Sequence, residues 1–499
     1  MARVFHINKG IGMSSSGIEY AQKYRYDLVK DFPEEQIFVY CDYIYSNYTR
    51  FTDNIGIEME MTLNAYHFMA GQQNHRSTYT VEEFADKLTD DFSREVAADK
   101  RSVSYKKAAL HYKVWLIEAD GAVDRVDTIV NNRLQEVAHY SDRLTSIDYY
   151  SGREIFCRIF FDESGKESMK QFLHENKIVL TLVDDLVLQG SSAFYSEFFR
   201  RLQFSSSDIV IMDRNQDLGK EILENKNDAT AVVVVHAEHF STALTDDDWT
   251  LWNNYYEYVF VNHKHIDAFI TSTDKQTERL RAQFAQAGHP ESKILTIPVG
   301  TVPAISDGKN VEKNKYKFLT ASRLAAEKHI DILVKAVAEA KKELSELEFH
   351  IYGAGGLEKS LREEIEKLSA QDYIVMEGHK HLTDEYEKYG GYLTASGSEG
   401  FGLTILEAVS ACLPMIGLDV DYGNTTFIKD GVNGCLLPRG TEDEQVEAFA
   451  AAIVKMVTTL NYSEAISYAQ EIAQPYLSSN VRAMWRDFYD DCLRLKGVK

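Results

Sequence analysis

Two charged residues stand directly ahead of a helical pattern, at a spacing that could bind a diphosphate. Arg323 and Lys328 are five positions apart. A guanidinium can hold two phosphate oxygens, a lysine adds a point charge, and the free N–H groups of a helix start attract anions. Because solvated basic pairs are common on protein surfaces, this pair alone leaves both interpretations open.

A second motif combines two glutamates with glycines. Glu399 and Glu407 are eight positions apart, with Gly400 and Gly402 between them. Glu399 would lie in a loop and Glu407 about one turn into a helix, so both carboxylates could face one ligand beside the free amides of Gly402 and Leu403. Such groups match a ribose diol and a sugar, whose hydroxyls both donate and accept hydrogen bonds. An acidic first helical turn would explain one glutamate but not the whole string.

The beginning of the chain reads as strand, glycine loop, helix and strand. A loop with Gly10 and Gly12 precedes a helical pattern at 18–29, and a second strand pattern follows at 36–41. This order is typical of a βαβ unit in a parallel sheet. The same texture returns after residue 205 and includes a buried strand that ends at His236.

A second series of strands and helices follows a linker at 294–315. The predicted strands are 316–320, 348–352, 373–376, 392–395 and 414–418, with helices at 330–344 and near residues 357, 383 and 403. We expect an α/β protein with two Rossmann-like domains that face a cleft. Ligands of such sheets bind outside the carboxyl ends of the strands, so the cleft is the predicted site.

Between these α/β segments the pattern changes to alternating aromatic strands. Turn pairs at Asp120-Gly121 and Ser164-Gly165 predict an antiparallel β-meander inserted in the first domain. The predicted domains are a first Rossmann-like domain at 1–77 and 205–304, the insertion at 78–204, a second Rossmann-like domain at 305–480, and a C-terminal helix at 481–499 that packs back across the junction between the domains.

Composition excludes several classes of protein. The chain has 499 residues, of which 44% are hydrophobic and 26% charged, which is typical of a folded protein with at least two domains. Its net charge of −23 disfavours nucleic-acid binding. Five scattered cysteines without a CxxC pair argue against a disulfide framework. No signal peptide or membrane span is visible, so we expect a cytoplasmic protein, with at most peripheral association at the cytoplasmic membrane face.

Several pairs of potential ligands invite a metal interpretation. They are His236 with His239, His263 with His265, His379 with His381, and Asp419 with Asp421. Two histidines three apart at a strand end do not share a face, there is no HExxH string, and the aspartate pair fits the end of a strand. We therefore expect no metal and no cofactor.

Together, the strings SRxxxxK at 322–328 and ExxxxxxxE at 399–407 resemble the retaining, nucleotide-sugar-dependent glycosyltransferases of family 4, which have the GT-B fold. The resemblance covers both Rossmann-like domains, and it implies that the first is the acceptor-side domain and the second the nucleotide-sugar domain. It implies that Arg323 and Lys328 bind the donor diphosphate, Glu407 the ribose, and Glu399 the transferred sugar. His236 matches the family's histidine at the donor sugar, with His239 as the other possibility.

The resemblance implies three overlapping sets of site residues. The catalytic set is Arg323, Lys328, Glu399 and His236. The donor-binding set is Gly12, Arg323, Lys328, His379, Lys380, Glu399, Gly400, Phe401, Gly402, Leu403 and Glu407. The acceptor-binding set is Gly10, Ser14, Ser15, Asp213, Arg214 and His239.

The string at 7–22 narrows the resemblance to GtfA-type enzymes, which begin the O-glycosylation of serine-rich-repeat adhesins in Gram-positive bacteria. It implies transfer of N-acetylglucosamine, or glucose, from a UDP-sugar to Ser/Thr, and an insertion that binds a homologous GtfB-type subunit. A wall teichoic acid α-glycosyltransferase is the alternative, since it shares the insertion and donor motifs. A non-catalytic, substrate-binding subunit is the third possibility, but this chain keeps all four charged motif residues.

Overall fold

The computed structural model describes residues 2–12, 16–44, 48–246, 249–380, 382, 385–495 and 497. The strands within these residues are β1 Arg3–Asn8, β2 Glu35–Tyr40, β3 Thr62–Asn64, β4 Ser93–Val96, β5 Ser102–Lys107, β6 Leu110–Leu116, β7 Val123–Val130, β8 Arg133–Tyr140, β9 Leu144–Ser151, β10 Glu154–Phe161, β11 Glu167–His174, β12 Lys177–Val183, β13 Leu186–Gln189, β14 Ile209–Met212, β15 Thr230–Val235, β16 Ala268–Thr271, β17 Ile294–Thr296, β18 Lys317–Ala321, β19 Glu348–Tyr352, β20 Ile374–Gly378, β21 Gly391–Thr394, β22 Met415–Leu418 and β23 Gly434–Leu437.

Helices connect and cover these strands. They are α1 Gly17–Val29, α2 Tyr48–Ile55, α3 Ala65–Met69, α4 Val81–Ala85, α5 Gly190–Arg201, α6 Gly219–Asn225, α7 Glu257–Val261, α8 Asp274–Gln286, α9 Ile330–Ala340, α10 Glu358–Lys367, α11 Leu403–Ser410, α12 Gly423–Phe427, α13 Glu442–Thr459, α14 Tyr462–Ala473 and α15 Ser478–Leu495. Each helix in the described part of the chain is too short or too polar to span a bilayer.

Two parallel sheets form the two α/β domains. The first has the order β17-β16-β15-β14-β1-β2-β3 and the second the order β20-β19-β18-β21-β22-β23 among the described residues. Their central strands are covered on both faces, and so they are mostly apolar and buried. Every residue of β15 is buried, for example.

The segment between the two parts of the first domain is an antiparallel meander. Strands β4 to β13 pair with their sequence neighbours in a single sheet of the described structure. The predicted fold class, two facing α/β domains with an antiparallel insertion in the first, is confirmed.

Three local details differ from the predictions. Helix α5 lies inside the predicted insertion range, yet its Phe194, Phe198 and Phe199 pack in the core of the first domain. The predicted linker contributes β17, an edge strand of the first sheet. The helix predicted near Thr383 begins outside the described residues, and Tyr386–Lys388 forms only one 3-10 turn.

The C-terminal helix α15 packs on the first domain, although it follows the second domain in sequence. Trp485 is buried, and the Arg25 guanidinium of α1 lies 5.2 Å from its ring centroid. Arg486 pairs with Glu34 at 2.7 Å. The chain therefore passes between the two domains twice, which connects them at two places.

Candidate functional site

The predicted site residues follow the carboxyl ends of parallel strands in both domains. In the first domain they follow β1, β14 and β15, and in the second they follow β18 and β21. The domains touch where Gly400 meets His236, because a Cβ atom built on Gly400 would lie 2.3 Å from the His236 backbone oxygen. This contact places the motifs of both domains at one cleft.

Lys328 and Glu399 form the centre of the second domain's half of the cleft. Lys328 Nζ donates to Glu399 Oε2 at 2.7 Å, and the side chains are 18% and 17% exposed. Lys328 ends a 3-10 turn after β18, and His329 then takes a left-handed conformation before α9 begins. The cation and the carboxylate are thus joined without a ligand, each as the other's partner.

Arg323 lies nearer the mouth of the cleft. Its side chain is 58% exposed and pairs with Glu327 at 2.9 Å. A small pocket extends between the ends of β18 and β21, and its polar lining includes Thr320, Ser322, Lys328, Thr394, Glu399 and Thr404. An exposed guanidinium beside a polar pocket suits an anionic ligand that enters from solvent.

The loop before α11 depends on its glycines. Gly402 precedes the helix in the left-handed region at φ 81°, where a side chain would also meet Ile405. The amides of Tyr422 and Gly423 donate to the Glu399 backbone oxygen at 2.8 and 2.9 Å, which fixes the base of the loop.

Two neighbouring residues of that loop contribute differently from the prediction. Phe401 is buried and packs against Phe427 and Tyr476, so its side chain supports the loop instead of facing a ligand. Leu403 is partly buried against the same core. Only the backbone of these two positions is then available to a donor sugar.

Glu407 is partly buried and accepts hydrogen bonds from two tyrosines. Tyr24 donates to Oε1 and Tyr386 to Oε2, each at 2.8 Å. Burial raises the pKa of Glu407, while both hydroxyl donors oppose that rise. Tyr24 belongs to α1 of the first domain, so this carboxylate also joins the domains. Sequence reasoning missed both tyrosines, because no spacing marks them.

Asp213 is placed differently from the prediction that it binds the acceptor. Its side chain is completely buried and accepts hydrogen bonds from Arg25, from Gln22 at 2.8 Å and from His236 at 2.8 Å. Burial disfavours the charged carboxylate, but Arg25 and His236 outweigh it and hold the pKa of Asp213 well below its usual range. Asp213 therefore supports His236 and does not line the cleft.

Arg214, the next residue, remains close to the predicted acceptor side. Its Nη2 donates to Ser16 Oγ at 2.8 Å and lies 3.5 Å from Glu19, at the start of α1. The side chain is 38% exposed. It can therefore still meet a ligand at this edge.

The first glycine loop is open at one position and tight at another. A Cβ atom on Gly12 would meet nothing within 4 Å, whereas one on Gly10 would lie 2.9 Å from Asp42. The predicted acceptor residues Ser14 and Ser15 lie outside the described residues.

His239 differs from the prediction because it is buried where the first domain meets Tyr422 of the second domain. It has no exposed surface, and its Nε2 is 2.8 Å from Gln283 Oε1. Burial lowers its pKa to about 4, and its ring stacks between Trp252 and Tyr422. Of the two candidate histidines, the structure places His236 at the cleft.

His379 and Lys380 lie after β20, two strands away from β18. Lys380 pairs with Glu377 at 2.5 Å and lies 5.7 Å from the Tyr352 ring centroid. Both residues are exposed, whereas His381 falls outside the described part of the chain.

One group of described residues brings three potential metal ligands together: His263, His289 and Glu291. It precedes β16 and β17, at the sheet edge opposite the cleft. The centroids of the two imidazole rings lie 3.8 Å apart, with an angle of 33° between their planes. Lys264 adds a positive charge nearby.

Comparison with known proteins agrees with this geometry. A family profile described as "Glycosyl transferases group 1" matches residues 302–470. A UDP-N-acetylglucosamine–peptide N-acetylglucosaminyltransferase GtfA subunit of Streptococcus pneumoniae is 36% identical over 98% of this chain and 99% of its own. A poly(ribitol-phosphate) α-N-acetylglucosaminyltransferase of Staphylococcus aureus is 22% identical over 72% of each chain.

Two solved structures are similar over nearly the whole length. The pneumococcal O-GlcNAc transferase GtfA in complex with UDP and GlcNAc has a TM-score of 0.93 and is 35% identical, with 99% of each chain covered. A GtfA/B complex has a TM-score of 0.89 and is 34% identical, with 98% of this chain and 99% of that chain covered.

Proposed function

The chain belongs to the family of UDP-N-acetylglucosamine–peptide N-acetylglucosaminyltransferase GtfA subunits, and from this premise we propose that it transfers N-acetylglucosamine from UDP-N-acetylglucosamine to serine or threonine of a serine-rich polypeptide. The observation that carries the proposal is the Lys328–Glu399 pair, which lies next to the contact between Gly400 and His236 of the first domain. It joins a diphosphate-binding cation, a sugar-binding carboxylate and a histidine of the other domain.

When the donor binds, contacts to the donor replace the contact between Lys328 and Glu399. The diphosphate binds Lys328 and attracts the exposed Arg323 away from Glu327, because a diphosphate carries more charge than one carboxylate. Glu399 is then free to accept hydrogen bonds from hydroxyls of the sugar. Glu407 accepts from the ribose diol. The ion pair thus keeps both groups in place before the donor arrives.

The reaction proceeds with retention and without a metal. The acceptor hydroxyl attacks the anomeric carbon from the face that UDP leaves, the bond to the phosphate oxygen breaks, and that oxygen takes the hydroxyl proton. Lys328 and Arg323 stabilise the charge that develops on the diphosphate. Preorganised donors of this kind typically contribute about 3–4 kcal/mol each to the transition state.

The insertion binds a homologous, GtfB-type subunit. Support comes from the similar GtfA/B complex and from exposed apolar side chains on adjacent strands of the meander. These side chains are Phe156, Phe172, Val179, Leu186 and Val187. A second subunit would also multiply the weak contacts that an extended serine-rich peptide can offer.

The decisive experiment follows release of UDP from a panel of donors. UDP-N-acetylglucosamine, UDP-glucose and GDP-mannose are each incubated with the protein, with and without excess EDTA. We expect turnover of UDP-N-acetylglucosamine that EDTA leaves unchanged. Exclusive use of a guanine nucleotide sugar would refute the assignment of a UDP-sugar as the donor. Full loss of turnover with EDTA would refute the metal-free reaction.

A parallel arm distinguishes the acceptors. Polyribitol phosphate is the competing acceptor, because the relative from Staphylococcus aureus is a poly(ribitol-phosphate) α-N-acetylglucosaminyltransferase. The net charge of −23 on this chain disfavours binding of a polyanion. Sugar transfer to polyribitol phosphate, with serine-rich peptide left unmodified, would replace the peptide assignment.

A further inference from the structure

A buried polar network lies directly beneath His236. Asp213 Oδ2 accepts hydrogen bonds from Arg25 and from Gln22, and Oδ1 faces His236 Nε2 at 2.8 Å. Asn8 donates in turn to Gln22 Oε1 at 3.0 Å. The His236 side chain is only 5% exposed. The cleft histidine is therefore held from behind by groups that solvent does not reach.

The partners in this network determine where its protons lie. Arg25 has only donors, so it requires an acceptor at Asp213 Oδ2. The ionised carboxylate can then only accept at Oδ1, and His236 must carry a proton on Nε2. In the tautomer that carries this proton, Nδ1 holds the lone pair and can accept a hydrogen bond.

The backbone around His236 is fixed as well. The amides of His236 and Ala237 both donate to the Tyr256 hydroxyl, at 3.0 and 3.1 Å. On the other side, the backbone oxygen of His236 contacts Gly400 of the second domain. The imidazole is thus restrained in both position and orientation.

We propose that Asp213 is a positioning residue that fixes the Nε2–H tautomer of His236, so that Nδ1 accepts a hydrogen bond from a hydroxyl of the transferred sugar. This inference rests on the proposed function, since it assigns a chemical role to one group of that site. It predicts that His236 recognises a sugar substituent that can donate a hydrogen bond, and not a substituent that can only accept one.

Replacing Asp213 with asparagine should reverse the tautomer of His236, with almost no change in the shape of the side chain at position 213. Arg25 still needs the amide oxygen, so the Asn amide group must turn its NH₂ toward His236. The ring then accepts at Nε2 and carries its proton on Nδ1. Asp208 supplies the matched control, because it is a buried carboxylate at the far end of the same β-strand region and pairs with Arg3.

The first readout is the tautomer itself, and it does not depend on activity. Nitrogen NMR of the full-length protein labelled in histidine should show Nε2–H for His236 in wild type and in Asp208→Asn, and Nδ1–H in Asp213→Asn. The signal is assigned by its loss in His236→Ala. An Nδ1–H tautomer in wild type, or the same tautomer in Asp213→Asn, would overturn the proposal.

The second readout is hydrolysis of UDP-N-acetylglucosamine. In Asp213→Asn we expect kcat to fall by about 10- to 100-fold, because the acceptor at Nδ1 is lost and the sugar hydroxyl must turn to accept from Nδ1–H instead. Binding of UDP, which lacks the transferred sugar, should change less than about twofold. The double variant with His236→Ala should be no slower than His236→Ala alone. Asp208→Asn should keep the wild-type kcat, and equal losses in both aspartate variants would contradict the proposal.

A variant at His236 covers the case in which Asp213→Asn does not fold. His236→Asn can place an amide oxygen where Nδ1 lies, whereas His236→Gln reaches toward Nε2. We expect more activity in the Asn variant, and greater activity in the Gln variant would count against the proposal. If wild type shows the expected tautomer but hydrolyses no UDP-sugar, the proposed function fails and the tautomer assignment stands.

Discussion

Replacement of Gly400 by alanine would place a methyl group between the two domains. The new Cβ atom would lie 2.3 Å from the His236 backbone oxygen and 3.1 Å from the Ala237 Cα atom. Ordinary carbon contacts begin near about 3.5 Å, so the domains must separate by about 1 Å at this point. Both obstructing atoms belong to the backbone, and no side chain can turn aside to make room.

The separation should affect the chemistry more than nucleotide binding. The diphosphate and ribose ligands that we propose lie in the second domain, while His236 must meet the sugar from the first. A displacement of about 1 Å in a reacting geometry can cost about 100-fold in rate. We therefore expect kcat for UDP-N-acetylglucosamine hydrolysis to fall by about 100-fold in Gly400→Ala, with the UDP dissociation constant within about threefold of wild type.

Gly397→Ala is the matched control in the same loop. Its Cβ atom would approach nothing closer than His329 Nε2 at 3.6 Å, which is an ordinary contact. UDP binding is measured by calorimetry and hydrolysis by coupled UDP release, with circular dichroism to confirm folding. Wild-type turnover in Gly400→Ala, or equal losses in both variants, would refute the reasoning that domain contact at His236 is needed.

Three further predictions follow from other contacts. Lys328→Ala should lower kcat by about 100- to 1000-fold, because it removes a diphosphate donor, whereas the surface variant Lys335→Ala should leave kcat unchanged; comparable losses would refute the assignment. Tyr24→Phe frees one oxygen of Glu407 for the ribose, so calorimetry should show UDP binding about 2- to 10-fold tighter, and weaker binding would contradict a competing contact. Burial lowers the pKa of His239 to about 4 in the folded protein. As the pH falls, this histidine therefore takes up a proton in the unfolded chain before it does so in the folded protein. Urea unfolding should therefore show this histidine destabilising the fold by about 2 kcal/mol between pH 7 and pH 5, and His239→Leu should have a shallower pH dependence; an unchanged slope would contradict the neutral, buried ring.

Much of the fold follows from local patterns. The strand predicted at 348–352 is β19 with the same bounds, because an apolar run between two helical patterns has few alternatives. Lys328 and Glu399 could be singled out because their motifs follow such strands directly. Parallel topology then brings strand ends together at one edge, which a sequence pattern can anticipate.

The residues that hold the site could not be found in this way. Asp213 follows a buried strand and reads like a surface residue, yet Arg25 and His236 enclose it from distant parts of the chain. Tyr24 meets Glu407 across 383 positions, and nothing local to either residue predicts the contact. Such contacts depend on how two domains pack, which periodicity and spacing do not encode.

The most direct test of peptide glycosylation is the mass of a serine-rich peptide after incubation with the protein, its GtfB-type partner and UDP-N-acetylglucosamine. We predict the addition of N-acetylhexosamine to serine or threonine, mapped by fragmentation, and its loss when Lys328→Ala replaces wild type. An unmodified peptide in the presence of active, UDP-releasing enzyme and its partner would contradict the central claim.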